Sequence, residues 1–583
     1  MKRDTKEWVW VLFFIVTFAF LQGFYAYHFF YLEQFQLFLT TTSYFVGCIS
    51  QPGGMMEYVS RFFVQFFVWP YAGPAIVSFF LTLIFRISSG LFRYTDKQGS
   101  FFMASVSLFL SCLFPCLDFN YYFQGILSFL FCLGLLLVFL SMKTSARRDV
   151  LVFLSAPLLY WIAGSVSVLF AVCFTSAELF REGYRKRKLY WLLLPVWAFC
   201  ISCLGVRYSF SSEFRMSFLP DMYYQPRLSP DASVYIPWII LIGWISILPF
   251  LRKIPKGHRR YFIPGLQALM VLFLVVWGIE KFGDRESYVL KKLDYYARNE
   301  QWDKIIHESQ GEISNYLYLN YLNLALVQKG LLLEEMFNYH QHGILGLEVS
   351  SQDKRITAPL LSDIRFCIGD LASSRQYAFE GYESCPGGGS GRLMKRLIRT
   401  NIIYGDDAVA KKYIGILEHT WFYKEWASGQ RRFLSNNSIC REDEEIGGKR
   451  KLLPREGSSE FASDFPEILE QLYEIYPRNE QAENYLLAFY LLSRDIGSFT
   501  AFLNECRKEK IMTGPLPPSC QQALLVFYES RPDQWKKAGI SEETIRQYND
   551  YKSVLRRSSG NHEIREIMKK RFGSTYWFYF QFT

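Results

Sequence analysis

The chain has 583 residues, of which 50% are hydrophobic, 18% aromatic and 20% charged, with a formal net charge of +10. That much apolar surface excludes a disordered chain, and 12 Cys over this length are too dilute for a small disulfide scaffold. A basic nucleic-acid-binding protein is excluded too, because the positive charge sits in short clusters between long apolar runs. Residues 1–282 hold 24 Lys and Arg against 13 Asp and Glu, whereas the remainder holds 40 against 41.

A membrane-spanning helix needs about 20 mostly apolar residues. In chain order, the expected spans are 8–30, 62–85, 101–117, 122–142, 189–206, 236–251 and 262–279. Met1-Lys2-Arg3 precedes the first run, and no A-x-A-like cleavage site follows it, so it reads as a retained anchor. The run 150–180 is long for one span and short for two, and it breaks at Ala163-Gly164-Ser165. Read as a hairpin of two short helices, it leaves 19 Lys and Arg on one side of the membrane and three on the other. A single crossing there would scramble that asymmetry, so the positive-inside rule favours the hairpin. The expectation is nine crossings, a cytoplasmic N-terminus and an external C-terminal half.

Beyond residue 283 the pattern turns to polar helices with apolar stripes. Leu293–Arg298, a short polar break and Trp302–Ile306 form one expected helix pair, with Tyr296, Trp302 and Ile305 at tetratricopeptide-like packing positions. Similar units recur at Leu324–Phe337, Tyr404–Leu417 and Ala482–Leu492, the last ending at Arg494-Asp495. Stacked helix pairs imply an α-solenoid-like tail. Loops are expected near 385–391, which is glycine-rich, and over 435–460. The fold class is therefore all-α: a polytopic helical membrane domain over 1–282 followed by a helical-repeat domain over 283–583. Cys367, Cys385, Cys440, Cys506 and Cys520 are too isolated to define a disulfide framework, and at most one or two bridges fit.

No P-loop, H-E-x-x-H, G-x-S-x-G or paired C-x-x-C motif is present. His340-Gln341-His342 reads as a surface pair, so no metal site and no cofactor are evident. The first external loop carries Glu33 directly after the first span, then Ser50-Gln51-Pro52-Gly53-Gly54, Glu57 and Arg61. Glu33 either caps a helix or serves as a general base, and Glu57 either pairs with Arg61 or helps bind a ligand. Asp118 lies at the mouth of the third and fourth spans. Arg207, Arg215 and Arg227 lie on the outer side, against the positive-inside trend. They either pair with Glu213, Asp221 and Asp231 or hold a lipid pyrophosphate. No span shows a buried charge pair of the kind ion coupling needs, which disfavours a transporter.

Glu33, the long first loop, the short helices of 150–180 and the external tail together resemble the membrane-embedded GT-C glycosyltransferases. That resemblance covers roughly the first 280 residues. It implies catalytic roles for Glu33 and Asp118, substrate contacts from Glu57, Arg61, Arg207, Arg215 and Arg227, a lipid-linked sugar donor and, for a transferase, a divalent metal. The family usually carries Asp where this chain has Glu33-Gln34. Glu33-Gln34-Phe35-Gln36-Leu37-Phe38, Gln51-Pro52-Gly53-Gly54, Gln65-Phe66 with Pro70, Ala410-Lys411-Lys412-Tyr413 and Trp426-Ala427 resemble, end to end, a family of bacterial polytopic inner-membrane proteins. That resemblance implies location without an activity. Two functions follow as expectations: an envelope assembly protein binding a protein partner on its helical repeats, or a GT-C-like transferase. Both have the lipid bilayer as a partner and exclude nucleic acid.

Overall fold

The computed structural model describes residues 4–95, 102–118, 120–179, 189–208, 232–251, 256–311, 313, 315–350, 354–385, 389–454, 464–509, 514–558 and 562–583. The described elements are helices, with no strand among the described residues. The chain divides into two compact units: Met1–Val289 with Pro386–Gly388 and His419–Phe422, and Leu290–Cys385 with Gly389–Glu418 and Tyr423–Thr583. The main boundary thus falls at Val289 rather than near 282.

The first unit contains α1 (Asp4–Glu33), α2 (Thr42–Ile49), α3 (Gly54–Val64), α4 (Ala72–Thr95), α5 (Phe102–Leu113), α6 (Gln124–Ser141), α7 (Ala146–Ala163), α8 (Val166–Leu179), α9 (Leu193–Tyr208), α10 (Ile236–Leu251) and α11 (Lys256–Phe282). Among the described residues, four segments are long and apolar enough to cross a membrane: Trp8–Glu33, Ala72–Arg93, Gln124–Ser141 and Phe262–Phe282. This corrects the expected nine. Phe102–Leu117, Val166–Leu179, Leu189–Gly205 and Ser233–Ile247 are apolar but only 10–17 residues long. At 1.5 Å per residue they fall short of about 30 Å of hydrocarbon.

Proline sets two of the helix boundaries. The expected span 62–85 is cut at Trp69, whose extended backbone (φ −84°, ψ 137°) precedes Pro70, and Tyr71 follows with φ 71°. A residue before proline is driven out of the helical region, so the long helix starts only at Ala72. At 101–117, Pro115 opens a separate 3-10 turn after α5 has ended. The hairpin expected over 150–180 is present as two packed helices, α7 and α8. Its break is at Gly164 (φ 73°, ψ −147°), a conformation that a residue with Cβ rarely adopts.

Packing in this unit is aromatic throughout. Phe13 stacks on Phe85 with centroids 4.3 Å apart, and Phe29 meets Phe67 edge-on at 5.4 Å. Many large apolar side chains nevertheless face outward. Trp8, Leu12 and Val16 on α1 are exposed, as are Leu269, Leu272, Phe273 and Val276 on α11. Soluble monomers rarely leave such a surface in water.

α12 (Arg285–Arg298), which belongs to the second unit from Leu290 onward, and α13 (Trp302–Glu308) form the helix pair expected there. They are followed by α14 (Tyr316–Gln328), α15 (Leu332–Glu335), α16 (Lys354–Ile368), α17 (Leu371–Ser384), α18 (Gly391–Tyr404), α19 (Asp407–Leu417), α20 (Lys424–Gln430), α21 (Asn437–Glu442), α22 (Glu444–Arg450), α23 (Phe465–Ile475), α24 (Glu480–Ser493), α25 (Ile496–Lys508), α26 (Pro518–Phe527), α27 (Pro532–Trp535), α28 (Glu542–Arg557), α29 (Ile564–Phe572) and α30 (Tyr576–Phe582). Side-chain oxygens cap the helix starts. Asp370 accepts from Ser373 N at 3.0 Å, Asp495 from Ser498 N at 3.0 Å and Ser541 from Thr544 N at 3.2 Å. α24 ends at Arg494 (φ 61°), at the expected break.

Two expectations for this half need correction. Residues 437–450, expected within a loop, form α21 and α22, each started by a capping side chain, Asn436 and Asp443. Nor is the packing that of an open stack of repeats, in which each repeat touches only its neighbours. Beyond the consecutive pairs α16–α17, α17–α18 and α18–α19, α24 returns onto α14, α15 and α16, and α26 packs on α15 and α30. Residues 386–388 of the expected glycine-rich loop lie outside the described residues. All 12 cysteines are free thiols, and the five of the C-terminal half are buried.

Candidate functional site

A cavity of the second unit is built on α18. Ser390 caps its start by accepting from Leu393 N at 3.3 Å, and Gly405 (φ 83°) ends it. Leu393, Met394, Leu397 and Ile398 are buried, at 2% exposure or less. Arg392, Lys395, Arg396 and Arg399 follow the i, i+3, i+4, i+7 spacing and line up along another stripe of the same helix. That stripe faces a cavity of about 850 Å³, which is also lined by Trp302, Phe366, Tyr423, Trp426 and Lys449.

Cations and rings alternate around this cavity. Lys395 Nζ lies 5.1 Å from the Tyr423 ring centre and 4.9 Å from that of Trp426. Arg396 sits 3.7 Å above the Phe366 ring, and Lys449 lies 5.3 Å from it. Each such contact contributes about 0.5–2 kcal/mol, more when water is excluded. Carboxylates hold the guanidinium groups. Arg392 donates to Asp294 at 2.5 Å and to Asp363 at 2.6 Å, Arg396 donates to Asp363 at 2.8 Å, and Arg399 pairs with Glu445.

Charge states follow from this arrangement. Burial pushes the Asp363 carboxyl up, but Arg392 and Arg396 outweigh it and hold the group below the usual aspartate value. Burial pushes the Lys449 ammonium down, with Arg396 acting in the same direction, while Lys449 Nζ donates to Cys367 O at 2.7 Å. The lining thus combines six cationic side chains and four carboxylates with flat apolar walls. Among the described residues, no group of three or more His, Cys, Asp or Glu side chains is placed to hold a metal ion. His340 and His342 lie 3.2 Å apart, and His342 Nε2 meets Ile313 O at 2.9 Å.

In the first unit, Glu33 is buried at the end of α1 beside buried Gln34 and Gln36. Asp118 is half-buried, and its Oδ1 accepts from Asn120 N at 2.8 Å. His28 Nε2 lies 2.8 Å from Cys116 O, which ties the turn leading to Asp118 to α1. Glu57 and Arg61 form an i,i+4 ion pair, and Arg61 also donates to Tyr44 Oη at 3.0 Å. Arg207 is exposed at the end of α9, so it does not share the buried surroundings of Glu33. Arg215 and Arg227, with Glu213, Asp221 and Asp231, lie outside the described residues.

One buried charge cluster lies in this half, outside the four membrane-length segments. Arg148, 1% exposed in the first turn of α7, donates to Glu178 in the last turn of α8 at 3.0 Å and to Asp149 at 3.3 Å. Tyr190 Oη donates to Asp149 at 2.6 Å, and the guanidinium lies 5.5 Å from the Phe174 ring centre. In the sequence, Arg147-Arg148-Asp149 looks like one more orienting cluster, and nothing local announces Glu178 as its partner. The α18 stripe, by contrast, is legible from spacing alone, although only the fold shows that it faces a cavity rather than solvent.

No curated protein and no solved structure matches the chain. The model of one family, described as a family of unknown function (DUF6057), matches residues 3–583, and the chain, from its apolar helices to the α18 groove, belongs to that family.

Proposed function

We propose that the chain is a multi-pass protein of a bacterial inner membrane whose C-terminal helical unit serves, on the external side, as an interaction module in envelope assembly. One contrast carries this reading. The first unit turns large apolar side chains outward, whereas the second has ordinary amphipathic helices around a basic, ring-lined cavity. The first surface suits lipid and the second suits an aqueous partner. The α12–α13 pair, with Tyr296 and Ile305 buried, supports a tetratricopeptide-like origin for the helical unit. The lysine and arginine clusters support a cytoplasmic N-terminus, and an external C-terminal unit then needs an odd number of crossings, so an odd number of the shorter apolar helices must cross beside the four long ones, where protein neighbours or local thinning shorten the path.

The expected result is that the chain stays with membranes after alkaline carbonate extraction, and that a reporter fused after Thr583 is active only outside the cytoplasm. Release into the soluble fraction would remove the membrane assignment, and a cytoplasmic signal would remove the external placement of the C-terminal unit.

A second reading, a GT-C-like transferase with a lipid-linked sugar donor, rests on Glu33. This carboxyl is buried where α1 ends, and His28 ties the turn leading to Asp118 to the same helix. A general base contributes about 10²–10⁴-fold to such a reaction. Glu33→Gln should therefore lower transfer from a lipid-phosphate-linked sugar at least a hundredfold in reconstituted vesicles. If the native chain shows no transfer above protein-free vesicles with or without Mg²⁺ or Mn²⁺, this reading fails.

A further inference from the structure

We propose that the groove along α18 is the docking site for an acidic peptide segment of a partner protein, seated against Lys395, Arg399, Tyr423 and Trp426. The inference rests on the interaction reading above and specifies where and what that module binds.

Three observations select this occupant. The basic stripe from Arg392 to Arg399 runs along about 10 Å of helix, so its charges are distributed in a line rather than gathered around one point. A line of charges matches carboxylates spaced along an extended or helical segment better than one compact anion. The guanidinium groups of the stripe already engage carboxylates, with Arg392 on Asp294 and Asp363 and Arg396 on Asp363. With Arg298, Lys395, Arg399 and Lys449, the lining holds six cations against the four carboxylates of Glu300, Asp363, Glu444 and Glu445, so a net positive charge remains for an incoming acidic segment. The cavity of about 850 Å³ is far larger than one phosphate needs, and its Tyr423 and Trp426 walls offer apolar area for side chains between the acidic residues. Lys395 lies against both rings, so an incoming carboxylate reaches its charge at the same place where an apolar side chain reaches the rings.

The test uses the full chain in detergent or nanodiscs and a fluorescein-labelled peptide alternating Glu and Phe, followed by anisotropy. The native protein should bind this peptide more tightly at low salt than at high salt, and should ignore the Lys-for-Glu version. Lys395→Glu and Trp426→Ala should each weaken binding about tenfold or more. Lys395→Arg, which keeps the charge, and Lys424→Glu, on the exposed start of α20, should stay within about twofold. Circular dichroism melting of each variant separates lost binding from lost folding. Native-like binding by folded Lys395→Glu would overturn the proposal. Displacement of the peptide by inorganic phosphate, or by vesicles containing phosphatidylglycerol at equal charge, would also overturn it and reassign the groove to phosphate.

Photo-crosslinkers at position 426 and at position 546, on the exposed face of α28, separate the two levels of inference in intact cells. Crosslinking to a polypeptide only from 546 leaves an interaction module and removes the groove. Crosslinking from neither position removes the module as well.

Discussion

Arg148→Met alone is expected to destabilise the first unit by about 3–5 kcal/mol, because it leaves Glu178 charged and buried without its main partner. Arg148 is 1% exposed and Glu178 6%, so solvent cannot replace the lost hydrogen bond at 3.0 Å. The packing of Phe174 and Trp191 around the guanidinium is lost in the same step, since both rings lie within 6 Å of it. Glu178→Gln keeps an acceptor for the guanidinium and should cost less. The double variant Arg148→Met, Glu178→Leu should recover part of the loss, because an apolar pair of similar volume no longer buries an uncompensated charge. Unfolding in detergent of these variants and of Glu178→Leu alone, followed by circular dichroism, gives the full cycle. If the double variant loses as much as the two single changes added together, the pair is not coupled and the clasp between α7 and α8 does not exist.

Asp363→Asn should produce the second large effect, about 3–5 kcal/mol at neutral pH, because one carboxylate serves two arginines. Removing its charge leaves Arg392 with Asp294 alone and deprives Arg396 of its carboxylate hydrogen bond at 2.8 Å. The pH dependence has a definite sign. The carboxyl is held below the ordinary aspartate value in the folded state. Its contribution is therefore fully present above the unfolded value, near pH 4, and is lost as pH falls through the folded value. The stability gap between native protein and Asp363→Asn should be wide at pH 7 and close progressively below about pH 4. A gap that stays constant down to pH 3 would mean that the carboxylate's charge does not stabilise the unit.

Much of the architecture can be read from residue pattern because it is local. The change at residue 283 from apolar runs to amphipathic stripes marks two units, and the hairpin break at Gly164 is visible as a small-residue interruption. The turn at Arg494-Asp495 and the helix pair around Trp302 are equally local. Spans were overcounted for a reason also visible in the chain. The runs at 102–117, 166–179, 189–205 and 233–247 are apolar enough to be counted but too short for about 30 Å of hydrocarbon, whereas Pro70 only moves the start of a retained span to Ala72. The loop assigned to 435–460 failed differently. Asn436 and Asp443 start helices from a polar, charged stretch whose composition resembles a loop.

The candidate site was half legible. Arg392, Lys395, Arg396 and Arg399 announce a cationic helix face by spacing, but a cationic face is ordinarily solvated. Trp426 on α20, Phe366 on α16 and Lys449 on α22 come from three other helices, and no periodicity links them to α18. Glu33 stands out by its place after the first span, but that place does not specify its burial.

The sequence by itself determined an all-helical chain, a lipid-compatible first half and a charge-balanced second half, because these depend on composition and on contacts within a few residues. Only the tertiary structure decided that Arg148 clasps Glu178, that α24 folds back onto α14–α16 and that α18 lines a cavity. Those contacts join residues 30 to more than 150 positions apart. A charge or an apolar stripe specifies that it must find a partner, and only chain folding specifies which one.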